Sequence, residues 1–311
     1  MARILFMGTP RFAVPFLSVL LKHQHHTVVA VVTQPDAPSG RGRSLTEPPV
    51  KALAVSAGVP VLQPETLKSP EVVAQLRAFE PQVIVVAAFG QILRRDVLEL
   101  PPRGCLNVHA SLLPRWRGAS PVSAAIAAGD AETGVTLMLM DPGLDTGPIL
   151  SQRPEPIRAG DTAGSLSERL AQLGADLLVE VLPGWLEGAI APRPQDESRA
   201  TQCGQLRKED GRIGWSRSAA EIERHVRAMS PWPAAWTTWQ GKLVRVLRSA
   251  VVAEHSVGSP GAVSEDERTL RVHCGRGLLE LVEVQPEGKR PMSGPDFARG
   301  QRRMAGASFG A

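Results

Sequence analysis

The sequence predicts an α/β chain in two parts: a doubly wound, mostly parallel sheet, followed by a smaller β-barrel domain. Three observations carry this. The chain opens β-turn-α-β, the start of a doubly wound sheet. The run Gln82 to Ala88, QVIVVAA, is almost continuously apolar, as a strand buried on both faces must be. From about Gln205 the pattern changes to short alternating runs with Gly-rich turns, the mark of a small barrel. At 311 residues, with 43% apolar and 21% charged side chains, the chain has material for two domains with their own cores. The boundaries fall at 1–189 for the first domain, 190–204 for a linker and 205–311 for the second.

Taken in order, Ile4 to Met7 is a strand, Gly8-Thr9-Pro10 a tight turn and Phe12 to Lys22 a helix, with Phe12, Phe16, Val19 and Leu20 at helical spacing. Val28 to Thr33 is the second strand. The turn lacks the second and third glycines of a dinucleotide fingerprint, which argues against a nucleotide cofactor there. Gln34 to Pro49, QPDAPSGRGRSLTEPP, is too rich in Pro and Gly for helix or strand. It forms a long arm at the carboxyl end of a strand, and its Arg41 and Arg43 suit a phosphate backbone. Val50 to Ala57 and Glu71 to Phe79 are helices on either side of Val59-Pro60-Val61. Phe89-Gly90-Gln91-Ile92-Leu93 follows the buried strand, where an apolar ring system could be received.

Cys105 to His109, CLNVH, is too short and apolar for a helix and suits a strand. On a strand, residues i and i+2 share a face, so Asn107 and His109 project together while Val108 enters the core. An open parallel sheet binds its ligand beyond the carboxyl ends of its strands, where this pair lies. A helix from Ser120 to Ala128 and a strand from Val135 to Met140 come next. The Gly-rich turn Asp141 to Gly147 then brings two carboxylates to a strand end. An amide can bond a developing oxyanion, and an imidazole with a carboxylate can accept or relay a proton, so the set suits acyl transfer. Ser111 lacks the G-x-S-x-G elbow of a serine nucleophile.

Leu166 to Trp185 is an amphipathic helix with Leu166, Leu170, Leu173, Leu177 and Val181 on its apolar face. Gly188 to Thr201 has linker composition. Beyond it come a helix near Ala219 to Met229 and short strands at Ala235 to Trp239, Leu243 to Val252, Leu270 to Cys274 and Gly277 to Val284. Trp232, Trp236 and Trp239 are expected to pack rather than stack on bases.

Composition narrows the function. No stretch approaches the roughly 20 apolar residues of a membrane span, and the amino terminus enters a strand directly rather than through a signal peptide, which leads us to expect a cytoplasmic protein. Three cysteines without a C-x-x-C pair argue against a disulfide framework or a zinc site. None of the seven histidines forms an H-E-x-x-H pattern, so no metal is expected. The net charge of +4 is uneven. Through Cys203 there are 18 Lys+Arg against 19 Asp+Glu, and beyond it 17 against 12. A basic second module fits a polyanionic partner.

The combination of Asn107, His109, Ser111-Leu112-Leu113-Pro114, Arg117-Gly118 and Asp145 resembles the active-site signature of the 10-formyltetrahydrofolate-dependent formyltransferases. Thr33-Gln34-Pro35-Asp36 with Gly40-Arg41-Gly42, the run GDAETGVTLMLMD, Gly143 to Gly147 and Pro231-Trp232-Pro233-Ala234-Ala235-Trp236 look like the branch that formylates methionyl-tRNA. The similarity covers nearly the whole chain. One departure is Phe89, where the family often has Tyr; this chain has no Tyr.

The resemblance implies a Rossmann-like catalytic domain and a basic, OB-like tRNA-binding domain, acting as a monomer. The co-substrate would be 10-formyltetrahydrofolate and the acceptor initiator methionyl-tRNA, for translation initiation, with no metal and no membrane. Asn107, His109 and Asp145 would be catalytic. The first two would steady the oxyanion, and Asp145 would position the imidazole and assist proton transfer. Ser111, Leu112, Leu113 and Pro114, with Phe89, Gly90, Gln91 and Ile92, would bind the folate; Pro142 to Leu144 would neighbour it. Arg41, Arg43, Lys242, Arg245 and Arg248 would bind tRNA, with Lys289 and Arg290 as further phosphate contacts. Two alternatives share these residues: a folate-dependent enzyme with an amino-sugar nucleotide acceptor, and a non-catalytic RNA-binding relative.

Overall fold

The computed structural model describes residues 1–39, 44–264, 269–301, 304 and 307–310. The chain forms two compact units. The first comprises Met1–Pro121, Glu132–Pro156 and Ser167–Cys203, and the second Val122–Ala131, Ile157–Leu166 and Gly204–Ala311.

The first unit opens with β1 (Ala2–Gly8), α1 (Val14–Lys22) and β2 (His26–Val32). Ile4, Leu5, Phe6 and Met7 are completely buried, which is why the strand carries no polar face. A hairpin follows, β3 (Ala37–Ser39) with β4 (Ser44–Thr46). The arm was expected to contain no strand. A two-stranded ribbon has no central strand, so Pro38 is tolerated in it despite its missing N–H. Residues 40–43, with Arg41 and Arg43, lie outside the described residues.

Next come α2 (Pro49–Ser56), β5 (Val61–Leu62), α3 (Pro70–Ala78), β6 (Val83–Ala87), α4 (Arg95–Leu98) and β7 (Cys105–His109). In chain order β8 (Arg117–Gly118), α5 (Pro121–Ala128), β9 (Glu132–Leu139), β10 (Ile149–Pro156), α6 (Ala163–Glu187) and β11 (Gln202–Cys203) follow, of which α5 beyond Pro121 and the start of α6 through Leu166 belong to the second unit. The sheet order is β10-β9-β7-β6-β1-β2-β5. The pairs from β7 to β5 are parallel, while β9 runs antiparallel to both β7 and β10. The edge strand β10 was not anticipated. It carries Pro154 and Pro156, and proline is accommodated in a sheet mainly at its edge.

The sheet positions the polar pair. Asn107 pairs with Val86 on one side and Met138 on the other, and His109 faces Thr136. Between them Val108 turns the other way, towards α6. A Cβ at Gly174 of that helix would lie 2.8 Å from Phe16 and 2.9 Å from Val108, so only glycine permits the approach. Leu166, Leu170, Leu177 and Val181 are buried along the helix, while Leu173 is only half-buried.

The second unit contains α7 (Ala219–Ala228), β12 (Ala235–Trp239), β13 (Lys242–Ala253), β14 (Arg271–His273), β15 (Leu278–Pro286), β16 (Met292–Ser293) and α8 (Gly294–Arg299). Ser218 and Glu221 form a capping box at the start of α7, bonding each other's backbone amides. The strands form one antiparallel sheet, β12-β13-β15-β14, with β16 also on β15. Three register shifts along the β13–β15 ladder bend the long strand, as barrel-like curvature requires. Trp239 is in the core, with its ring centroid 4.7 Å from that of Phe309. Trp236 is half-buried, and its indole N–H donates to the Lys208 carbonyl at 2.9 Å. Trp232 is 55% exposed and is not part of the core. No helix among the described residues is long and apolar enough to cross a membrane.

Candidate active site

The alternation of β7 puts Asn107 and His109 on one face, and the turn after β9 brings Asp145 to both. Asn107 Nδ2 donates to Asp145 Oδ1 at 3.4 Å, and His109 Nδ1 lies 3.6 Å from Asp145 Oδ2. The two side chains that meet are shielded, at 7% exposure for His109 and 13% for Asp145. Asp145 sits at φ 54°, a left-handed conformation that Asp adopts more readily than most residues. Its Oδ2 also accepts the Gly118 N–H at 2.8 Å. Asp141, the other carboxylate of the turn, is spent locally: Oδ1 accepts from Gly143 N and from the Thr146 hydroxyl.

The imidazole is oriented from its other nitrogen. His109 Nε2 lies 2.9 Å from the carbonyl oxygen of Trp116, which can only accept. Nε2 therefore carries the proton in the neutral ring, and Nδ1 presents its lone pair on the carboxylate side. A proton taken up at Nδ1 would leave an imidazolium beside a carboxylate, the favourable charge pairing. Trp116 itself has φ 60°, and the Arg115 guanidinium stands 4.5 Å over its ring.

The stretch Ser111 to Pro114 divides. Ser111 is completely buried, and its hydroxyl donates to the Arg115 carbonyl at 2.6 Å. The Thr136 hydroxyl donates to the Ser111 carbonyl and accepts the Leu113 N–H, while Gln152 Nε2 donates to the Leu113 carbonyl. Ser111 and the buried Leu113 thus fasten the turn; Leu112 and Pro114 are half-buried.

The loop after β6 also divides. Phe89 is 2% exposed and belongs to the apolar core, so its ring suits a site where a tyrosine hydroxyl would need a buried partner. Its carbonyl accepts from the Thr9 hydroxyl and from Gln34 Nε2. The Gln91 amide is engaged by Leu67 N and the Pro64 carbonyl, which holds the loop. Gly90 has φ 84° and is exposed, and Ile92 is 82% exposed. A cavity of about 490 Å³ lies between Leu98, Gly104, Leu139, Met140 and Pro142, with Arg95, Glu99 and Asp141 as its charged members.

Sequence reasoning missed the segment with linker composition, whose residues reach the site from some 80 positions away. The buried Arg117 guanidinium is bonded by Glu197 at 2.8 and 2.7 Å and by Gln195 Oε1 at 3.1 and 2.8 Å. The Glu197 bond raises the Arg117 pKa, and the same bond lowers that of Glu197. β11 then pairs in parallel with β8. Gly118 has φ 116°, and a Cβ there would lie 2.1 Å from the Cys203 carbonyl oxygen, so the pairing demands glycine. Burial pushes the Cys203 thiol up, and the Asp145 charge adds to it. No local periodicity marks these residues; the signal is tertiary.

In the second unit Lys242, Arg245, Arg248, Lys289 and Arg290 are all exposed. Strict alternation puts Arg245 and Arg248 on opposite faces of a strand. The register shift between Val246 and Arg248 leaves both in solvent while Val244 and Val246 are buried. Among the described residues no group of three or more His, Cys, Asp and Glu could hold a metal ion.

Residues 2–182 match the formyl transferase family model, and residues 205–302 match the model of the formyl transferase C-terminal domain. The chain is 52% identical over 301 residues to a methionyl-tRNA formyltransferase of Chloroflexus aurantiacus, covering 96% of each chain. It is 49% identical over 306 residues to the enzyme of that name from Myxococcus xanthus, covering 98% of this chain and 97% of the other. Among solved structures, an N-formyltransferase from Helicobacter canadensis in complex with folinic acid and dTDP-3-aminofucose shares the fold. Its TM-score is 0.66 at 19% identity, over 92% of this chain and 100% of that one. HypX from Aquifex aeolicus in complex with tetrahydrofolic acid has a TM-score of 0.61 at 19% identity, over 95% of this chain and 46% of that one. Matched in both parts and along nearly its whole length, with an amide, an imidazole and a carboxylate gathered at the strand ends, the chain belongs to the formyl transferase family.

Proposed function

We propose that this chain transfers the formyl group of 10-formyltetrahydrofolate to the α-amino group of methionine on initiator methionyl-tRNA, for translation initiation. The observation that carries the reading is the near-full-length identity, about half of all positions, with relatives of that activity. The sugar-acting structural neighbour stands at 19% identity and speaks for the fold.

The chemistry follows from the site. The attacking amine must be neutral and must lose a proton as it bonds to the formyl carbon. His109 Nδ1, left as an acceptor by the Nε2 bond to Trp116, takes that proton, and Asp145 balances the imidazolium that results. Negative charge gathers on the formyl oxygen. Asn107 Nδ2, held loosely at 3.4 Å by Asp145, is the donor available to it, and such a donor is worth roughly 3 to 4 kcal/mol. The Nδ1–H of the charged ring can then return the proton towards the departing folate nitrogen. Asn107, His109 and Asp145 are the catalytic set.

The residues present fit a folate co-substrate. The cavity beside the Asp145 turn has apolar walls in Leu98, Leu139, Met140 and Pro142 for a flat ring, with Glu99 as a carboxylate for its N–H donors. Gly90 and Ile92, with Leu112 and Pro114, are the exposed or half-buried members of the two loops that would meet it. Phe89, Gln91, Ser111 and Leu113 support those loops from beneath.

Residues 1–189 are assigned to catalysis and 205–311 to tRNA binding. Lys242, Arg245 and Arg248 are assigned to phosphate contacts in the second domain, with Arg41 and Arg43 at the acceptor end. The protein acts as a cytoplasmic monomer. The test is formyl transfer from 10-formyltetrahydrofolate to purified initiator methionyl-tRNA, with a UDP-amino-sugar as parallel acceptor and His109→Ala as control. Transfer to the tRNA, lost in the control, supports the reading. Transfer to the sugar alone overturns the acceptor, and transfer to neither overturns the catalytic assignment.

A further inference from the structure

The His109 ring is flanked by two acceptors, the Trp116 carbonyl and the Asp145 carboxylate, and the same distant segment holds the backbone of both. Gln195 is half-buried in an otherwise largely exposed run, and every polar atom of its amide is engaged. Nε2 donates to the Asp145 carbonyl at 2.8 Å and to the Gly147 carbonyl at 2.7 Å, spanning the turn that carries the carboxylate. Oε1 accepts twice from the buried Arg117. Two residues earlier, Arg193 exchanges backbone bonds with Ile149, N to O at 2.8 Å and O to N at 2.7 Å, which anchors the segment beyond the turn.

Six residues after Gln195, Thr201 does the same for the other acceptor. Its hydroxyl accepts the Trp116 N–H at 2.9 Å, its N–H donates to the Pro114 carbonyl at 3.2 Å and its carbonyl accepts the Arg117 N–H at 2.9 Å. The Trp116 residue is thereby held at φ 60° with its carbonyl on His109 Nε2. Asp145, at φ 54°, is the second left-handed non-glycine residue in contact with the ring. Such conformations persist where surrounding bonds over-determine them.

We propose that residues 193–203 are a positioning element of the catalytic set, in which Gln195 sets Asp145 and Thr201 sets the Trp116 carbonyl. The chain that leads out of the first domain is thus part of the machinery rather than a tether. This inference rests on the catalytic roles proposed above for His109 and Asp145.

Gln195→Met keeps the length of the side chain and removes its four bonds. We expect kcat for formylation of initiator methionyl-tRNA to fall tenfold or more, with KM for both substrates within threefold of the unaltered protein. Because Gln195 acts through Asp145, the same change in an Asp145→Asn background should lower kcat less than twofold further. Should Gln195→Met fail to fold, Gln195→Glu retains the reach to Arg117 while losing the two donated bonds, and the same criteria apply. The proposal is overturned by a folded variant whose kcat falls less than fivefold, by a loss confined to KM, or by a full additional loss in the Asp145→Asn background. Inactivity of the unaltered protein with every acceptor would instead remove the catalytic roles themselves, and the positioning claim with them.

Discussion

Replacing Asp145 by Asn tests the electrostatic part of the mechanism while leaving its geometry nearly intact. The amide oxygen of Asn can still accept the Gly118 N–H, and Asn is among the residues that tolerate φ 54°. What disappears is the negative charge 3.6 Å from His109 Nδ1, together with the weak 3.4 Å acceptor for Asn107 Nδ2. At an effective dielectric of about 20, a full charge pair at that separation attracts by about 4 to 5 kcal/mol. Residual solvent access and relaxation of the pair reduce the usable part to roughly 3 to 4 kcal/mol, about 100- to 1,000-fold in rate. The interaction exists only once the ring is charged, so the loss belongs in kcat and not in KM. The assay is steady-state formylation of initiator methionyl-tRNA at saturating donor, with thermal unfolding to confirm the fold. A folded Asp145→Asn protein whose kcat falls less than tenfold would refute the imidazolium–carboxylate argument.

Gly118→Ala should displace β11, because the added methyl would meet the Cys203 carbonyl at 2.1 Å and φ 116° strains any L-residue; we expect a loss of about 2 to 3 kcal/mol in thermal unfolding together with reduced kcat. An unchanged midpoint would show that the strand can move aside at no cost. Changing Lys242, Arg245 and Arg248 together to Ala should leave kcat within twofold, raise KM for the tRNA and reduce the slope of log affinity against log salt by about two to three. An unaltered salt slope would remove these residues from the phosphate contacts. His225 is buried, and burial lowers its pKa from the usual 6.5. The unfolded chain then binds the proton first as the pH falls, so stability is full above about pH 6.5 and declines as the pH drops through the depressed folded value. Melting of the native protein should therefore weaken as the pH falls below about 6.5, and His225→Gln should flatten that dependence in the second unit.

The site was legible in sequence where it obeys local rules. Asn107 and His109 share a face because alternate strand residues do, and CLNVH could be recognised as a strand from five residues. The arm at Gln34 to Pro49 was located from its Pro and Gly content, but its hairpin was not, since a ribbon stabilised by a few cross-strand bonds has no apolar period to betray it. Ser111 and Gln91 carry polar groups of the kind a ligand site uses, and only the fold shows that those groups are spent on the Arg115 carbonyl, Leu67 and Pro64. Trp232 carries the same indole as Trp239, yet one is 55% exposed and the other lies in the core.

By itself the sequence determined the central strands and main helices of the first domain, the two-part organisation, and the amide, imidazole and carboxylate that the proposed chemistry uses, but not the arm's hairpin or the edge strand β10. These depend on hydrophobic period, turn composition and residue type, all of which are read within a few positions. The tertiary structure alone decided that His109 is held by the Trp116 carbonyl, that Asp145 lies 3.6 Å from His109 while Asp141 bonds within its own turn, and that Gln195 and Thr201 hold the backbone of both acceptors. The reason is physical. A hydrogen bond or a close ion contact is set by a few ångströms in space, and residues 7 to 85 positions apart leave no mark of that proximity in their own local pattern.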